Sequence, residues 1–216
     1  MKMLTRLRQR FGTRQAMSAN RWAVLDVESS GLDPRHDRLI AIACVALHFE
    51  QGQPRIHFGD SFEVVLRQPD LPHDKANILL HGIGVGAQRG GVEPQAALQS
   101  LEHWLADAPL VAFHAAFDES LVQRAMQSVL GHRLANPWVD LDPVAAALQP
   151  KVQARSLDEW LDHFGIQCAV RHQAAADTLA TAELLLKLWP AARMQLGSVE
   201  FGALQRLATQ GRWLQR

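Results

Sequence analysis

Five residues in three short stretches have the side-chain types and spacing for metal-assisted chemistry. In WAVLDVESSGLDP, residues 22–34, Asp26 and Glu28 close an otherwise apolar run. Side chains alternate along an extended strand, so both acids share a face with Trp22 and Val24, their Cα atoms ~6.6 Å apart. Both carboxylates can then reach one cation. Two unpaired ionised acids there are costly through desolvation and mutual repulsion, and a divalent cation offsets both terms. Taken alone, the segment also fits a strand that emerges into solvent at Asp26.

In LVAFHAAFDESLV, 110–122, an apolar run turns into a helix with Asp118 in its first turn. By itself such an acid is an ordinary N-terminal helix device. In VRHQAAADTLATAELLLKLW, 170–189, His172 precedes Asp177 by five residues where a strongly apolar helix begins, and Ala174, Ala175 and Ala176 leave room for a ligand. Four carboxylates and one histidine together suit two-metal phosphoryl chemistry. Two Mg²⁺ or Mn²⁺ ions ~3.5 to 4 Å apart require oxygen ligands, and four acids balance their charge. A neutral imidazole, whose pKa lies near neutrality, is suited to accept the proton of an attacking water.

The elements that must position these groups are readable from periodicity. Alternation and β-branched content predict strands over 22–28, 39–49 and 60–66, separated by turns at Gly31, Asp33 and Pro34 and at residues 51–54. Helical spacing predicts a helix over 94–107 that starts at Pro94, a short strand over 109–113 and a helix over 117–130. A brief strand follows near 138–141. Ser156 with Glu159 three residues later signals a capped helix over 156–164, and a long helix covers 172–189. The predicted architecture is α/β, a mixed five-stranded sheet of three antiparallel strands followed by α/β units, flanked by helices. In such a sheet the strand C-terminal ends gather at one edge, the usual place for a site. The glycines of HGIGVGAQRGG, 81–91, do not fit GxGxxG, and the segment reads as a flexible surface loop bordering a cleft.

Bulk properties set the frame. The 216 residues are 48% hydrophobic and 20% charged, the profile of one globular domain. No apolar stretch approaches the ~20 residues of a membrane span, and no secretory h-region is present, so the expectation is a cytoplasmic protein without a membrane partner. Cys44 and Cys168 stand singly in apolar segments and read as buried free thiols. The net charge is zero, yet residues 1–21 hold six bases and no acid. This basic arm reads as a solvated terminus, as a phosphate-gripping amphipathic helix on Leu4, Leu7 and Phe11, or as a transit-like segment. Residues 22–190 form the expected catalytic domain, and 191–216 a C-terminal helical extension packed on it. Trp22, Trp104, Trp160 and Trp189 read as core, and His163 as a favourable cation at a helix end.

In order and context, LDVESSGLDP, FHAAFDESLV and RHQAAADTLATAELL resemble the motifs of the DEDDh (DnaQ-like) exonucleases, the family of the proofreading epsilon subunit of bacterial DNA polymerase III. The resemblance spans about residues 22–190. It implies an RNase H-like fold and metal-dependent hydrolysis from a nucleic-acid 3′ end that releases nucleoside 5′-monophosphates. It further implies that Asp26, Glu28 and Asp177 hold one metal ion, that Asp26 and Asp118 serve a second, and that His172 is the general base. Ser29, His81, His114 and Phe117 then lie on the substrate side, and Asp140 supports the site from outside the metal ligands. Ser29 and Ser30 replace two threonines usual in the family, and Phe113-His114 replaces a common His-Asn.

The implied substrate is the 3′ end of DNA, single-stranded, with association to a DNA polymerase as a further implied partnership. An RNA exonuclease of the oligoribonuclease or RNase T type shares the same five residues. A metal- and nucleic-acid-binding module without turnover is the alternative from a different class.

Overall fold

The alternation in the first apolar segment is realised as strand β1 (Arg21–Ser29), which sends Trp22 and Val24 into one core layer and Ala23, Leu25 and Val27 into the other. The computed structural model describes residues 20–69 and 75–214. The basic arm expected at 1–21 therefore lies outside the described residues apart from its last two. β1 pairs antiparallel with β2 (Leu39–Glu50), which pairs antiparallel with β3 (Gln53–Val65). On its other side β1 runs parallel to β4 (Leu110–Ala112), itself parallel to β5 (Trp138–Asp140). The order β3-β2-β1-β4-β5 is the mixed five-stranded sheet that the sequence predicts.

Helices cover both faces. α1 (Lys75–His81), α2 (Val85–Arg89) and α3 (Pro94–Leu105) connect β3 to β4. α4 (Ala116–Leu130) follows β4, then α5 (Leu141–Leu148) and α6 (Leu157–Phe164) follow β5, and α7 (Ala174–Leu196) and α8 (Phe201–Leu214) end the chain. α3 and α4 bury Leu98, Leu101, Leu121 and Met126 on one face of the sheet, and α7 buries Leu184, Leu185 and Leu188 on the other. The predicted capping box is present: Glu159 N–H donates to Ser156 Oγ (3.2 Å), and Ser156 N–H donates to Glu159 Oε2 (3.2 Å). Among the described residues no helix is long and apolar enough to cross a membrane.

Several boundaries differ from the sequence expectation. β3 starts at Gln53 rather than 60, because residues 58–60 bulge out between the His57 and Ser61 pairings and interrupt the alternation. Pro54 is tolerated there because β3 is an edge strand. The 81–91 loop is partly helical and anchored: Gln88 is buried, its carbonyl accepts from Gln68 N–H, and its side chain donates to Ile83 O (2.8 Å). α5 has no counterpart in the sequence expectation, being a short helix buried almost throughout. α7 continues past 189 through Pro190, as Ala192 extends its buried face. Cys44 is a buried free thiol, whereas Cys168 is half-buried near the mouth of the α7 loop. Trp104 is half-buried beneath the Arg21 guanidinium, 4.3 Å from the ring centre.

The C-terminal helix packs on α5 at a point only glycine permits. A Cβ on Gly211 would stand 1.8 Å from the Pro143 carbonyl oxygen. Alanine is the better helix former by about 1 kcal/mol, so propensity alone predicts a stabilising change. Overpacking wins: Gly211→Ala should destabilise the protein by about 1–3 kcal/mol in denaturant unfolding. A neutral or positive change would show that this helix contact is dispensable.

Candidate active site

The C-terminal ends of the parallel strands β1, β4 and β5 open onto one edge of the sheet, where the strand order switches direction. Asp26 and Glu28 stand there on the face that packs against α7. Asp118, in the first turn of α4, is almost fully buried, and its Oδ1 accepts the Val27 N–H at 3.1 Å across 91 residues of sequence. Asp177, in the first turn of α7, is equally buried. Its Oδ2 accepts the His172 N–H (3.0 Å), and its Oδ1 accepts from Cys168 Sγ (3.5 Å) and pairs with Arg171. Glu28 lies by the Ala174 amide at the start of α7, a favourable place for an anion. Three segments distant in sequence thus bring all four predicted acids to one edge.

The electrostatics follow from crowding. Burial, then the charges of Asp118, Asp177 and Glu28, push the Asp26 carboxyl well above the usual range. Burial and Asp177 push Glu28 up to about 8 against the opposing pull of Arg171. Burial likewise pushes Asp118 up to about 8, opposed by its own amide and that of Val27. Burial disfavours the Arg171 charge, but pairing with Asp158 and Asp177 outweighs it and raises the guanidinium pKa. Arg171 was not singled out in the sequence, although it adjoins His172. Its one signal was its place as the single base in a stretch rich in acids and alanines.

His172 is exposed and occupies the left-handed region at φ 60°. That conformation is uncommon for a residue other than glycine, and it turns the His172 amide onto Asp177. His114 repeats the device at the end of β4: its φ is 57°, and its amide donates to Asp140 Oδ1 (3.0 Å). The His114 ring lies 3.5 Å from Asp142 Oδ2, and that contact raises its pKa against the opposing effect of burial. Asp140 therefore supports the strand end and caps α5, also accepting the Asp142 N–H at 3.3 Å.

The expected substrate-side residues divide. Ser29 is buried, and its hydroxyl donates to Gly31 O (2.5 Å), so it shapes the turn. Its carbonyl accepts Asn77 Nδ2 at 2.7 Å, which ties α1 to the site edge. His81, at the end of α1, is buried; its Nδ1 accepts the Ile83 N–H (2.9 Å), and its Nε2 has no partner among the described residues. Gly82 lies beside Gln173, the residue before α7. Phe117 is half-buried against the α3–α4 core layer.

Among the described residues no group of three His, Cys, Asp or Glu forms a ready cation cage, and Asp177 spends its oxygens on Arg171, Cys168 and the His172 amide. The donor set nevertheless fits hard cations in type, because four carboxylates that repel one another present only oxygen.

A mixed sheet with helices on both faces and acids gathered at the switch edge defines an α/β domain of the RNase H-like kind. Residues 23–185 match the family described as Exonuclease, under the name RNase T, and the chain belongs to that exonuclease family. It is 30% identical over 168 residues to DNA polymerase III PolC-type of Bacillus subtilis, covering 77% of this chain and 11% of that protein. It is 31% identical over 187 residues to a DNA polymerase III subunit epsilon-like protein of Rhodobacter capsulatus, covering 85% of this chain and 25% of the relative. The chain thus spans a quarter or less of these curated relatives. E. coli Exonuclease I, solved in complex with a dT13 oligonucleotide, superposes with a TM-score of 0.69 at 18% identity, covering 82% of this chain and 42% of that one.

Proposed function

We propose that this exonuclease domain hydrolyses phosphodiester bonds from the 3′ end of single-stranded DNA and releases nucleoside 5′-monophosphates. The observation that carries this reading is the convergence of Asp26, Glu28, Asp118 and Asp177 from three separate segments, with His172 on the loop whose amide holds Asp177. Asp26, Glu28 and Asp177 would hold one divalent ion, and Asp26 with Asp118 a second, Mg²⁺ or Mn²⁺ by the hardness of the donors. When bound, such ions lower the pKa of water and stabilise the departing oxygen.

The chain's own residues supply the rest. Val27 N–H fixes one oxygen of Asp118. The Ala174 amide and the dipole of α7 favour the charged form of Glu28 against the burial that raises its pKa. Arg171 offsets Asp177 and is the positive group with which a cation competes. The exposed His172 imidazole, carried on a loop that its own amide pins to Asp177, accepts the proton of the attacking water. His81, His114 and Phe117 border the terminal nucleotide. Residues 22–190 are the catalytic unit in this reading, with 191–216 as its extension. Association with a DNA polymerase belongs to the same reading, supported by the polymerase names of the relatives.

The test uses 5′-labelled DNA and RNA single strands with Mg²⁺, Mn²⁺ or chelator. Stepwise shortening from the 3′ end is expected with metal, faster on DNA, and absent in Asp26→Ala. Tight binding without shortening under either metal would refute the nuclease assignment.

A further inference from the structure

A cavity of about 190 Å³ lies on the sheet face opposite α7, where α3 and α4 cross the start of β2. Its walls are aliphatic, built from the buried side chains of Leu39, Leu66, Leu98 and Leu121, and Val129 stands 40% exposed at its mouth. No aromatic ring lines it. Its rim carries two exposed arginines, Arg38 and Arg124. Arg124 donates to the Asp37 carbonyl, which places its guanidinium one residue from Arg38.

Neither arginine has a carboxylate partner among the described residues. Two described acids close in sequence to the lining residues are committed elsewhere: Asp37 accepts Ser30 Oγ (2.8 Å) and Asp33 N–H (2.8 Å) inside its own turn, and Glu93 pairs with Arg67 (2.7 Å). The polar wall residues are also spent, since Gln68 donates to Leu39 O (2.9 Å) and Ser128 to Ala125 O (3.1 Å). The mouth therefore presents two guanidinium groups without a carboxylate partner among the described residues, over a largely aliphatic hole.

We propose that this cavity docks an acidic peptide segment of a partner protein, inserting one apolar side chain between carboxylates held by Arg38 and Arg124. Planar guanidinium forks match carboxylates bidentately, and a buried apolar anchor beneath a charged rim is the usual anatomy of a peptide hot spot. The chain's own basic arm is the wrong sign for this rim, with six bases and no acid in residues 1–21. Single-stranded nucleic acid would bring the right charge but would want aromatic faces for its bases, and these walls offer only aliphatic ones. The docking site joins the catalytic edge through Ser30, whose N–H donates to Arg38 O (2.9 Å) and whose Oγ accepts Arg38 N–H (2.8 Å). A bound partner would thus sit within one turn of Glu28.

The experiment is fluorescence anisotropy of the full chain with a labelled peptide of four aspartates followed by leucine. Binding in the micromolar range is expected, weakened at least about tenfold by Arg38→Glu with Arg124→Glu, by leucine-to-alanine in the peptide, or by filling the hole with Ala125→Trp. Thermal melts establish that each variant is folded, and cleavage of a short oligonucleotide should remain unchanged in the arginine pair. No binding into the millimolar range overturns the proposal, as does equal binding by the variants. So does an oligonucleotide that displaces the peptide and itself requires both arginines. Leu71→Ala covers the remaining occupant, the chain's own acidic stretch at 70–74; peptide binding that emerges only in that variant also overturns it.

Discussion

Replacing His172 by Asn should lower kcat by about 10²–10⁴ while the dissociation constant for a DNA 3′ end stays within about twofold. The expectation rests on what the substitution leaves intact. The bond that organises the loop comes from the His172 amide to Asp177, not from the ring, so it survives the change. The backbone at φ 60° is also preserved, because asparagine occupies the left-handed region more readily than most residues. Only the exposed imidazole is lost. The split between turnover and binding is a readout that a merely structural role would not give, since loss of loop order would weaken both. Turnover equal to the parent in a pH-rate profile would remove His172 from the chemistry.

The candidate site was legible wherever it is made of charged side chains at short spacing. Asp26 and Glu28 could be placed on one strand face by alternation alone, and the observed layers bear this out, with Trp22 and Val24 facing α7 and Leu25 and Val27 facing α3 and α4. Asp118 and Asp177 each had a local explanation as first-turn helix acids; the parallel pairing of β1 with β4 brings Asp118 to the edge, and the packing of α7 on β1 and β2 brings Asp177 there. Contacts that depend on backbone shape left no trace in residue type. Nothing in the sequence marks His114 or His172 as left-handed, and nothing marks Val27 N–H as the partner of Asp118. Arg171 was missed for a related reason: a lone arginine reads as solvated surface until folding sets it between Asp158 and Asp177. α5 escaped because a short segment buried on nearly all sides cannot be told from a buried strand by periodicity alone.

Asp26→Asn should abolish cleavage and yet raise the thermal stability of the chelator-treated protein at pH 8. Asp26, Glu28 and Asp118 are all raised by burial before any other cause, so the native state holds protons that the unfolded chain has released. Stability then decreases with rising pH, by about 1.4 kcal/mol per unit for each such group, from the ordinary carboxylate range up to its native pKa. For Glu28 that window runs from 4.5 to about 8, and for Asp118 from 3.8 to about 8. The opposite case, Asp60, is held down at about 2 first by its bond to Arg21, so its contribution is lost only as pH falls below about 4 and does not overlap. In chelator the parent should therefore melt at progressively higher temperature from pH 8 down to pH 5. Asparagine at 26 removes the most crowded of these charges and should flatten that slope while raising its pH 8 end. Added Mg²⁺ or Mn²⁺ at pH 8 should raise the melting temperature of the parent by mass action and that of the variant far less. A variant that melts lower than the parent in chelator at pH 8 would mean that Asp26 stabilises the fold. The four acids would then be a structural network, and a role in binding cations would lose its physical basis.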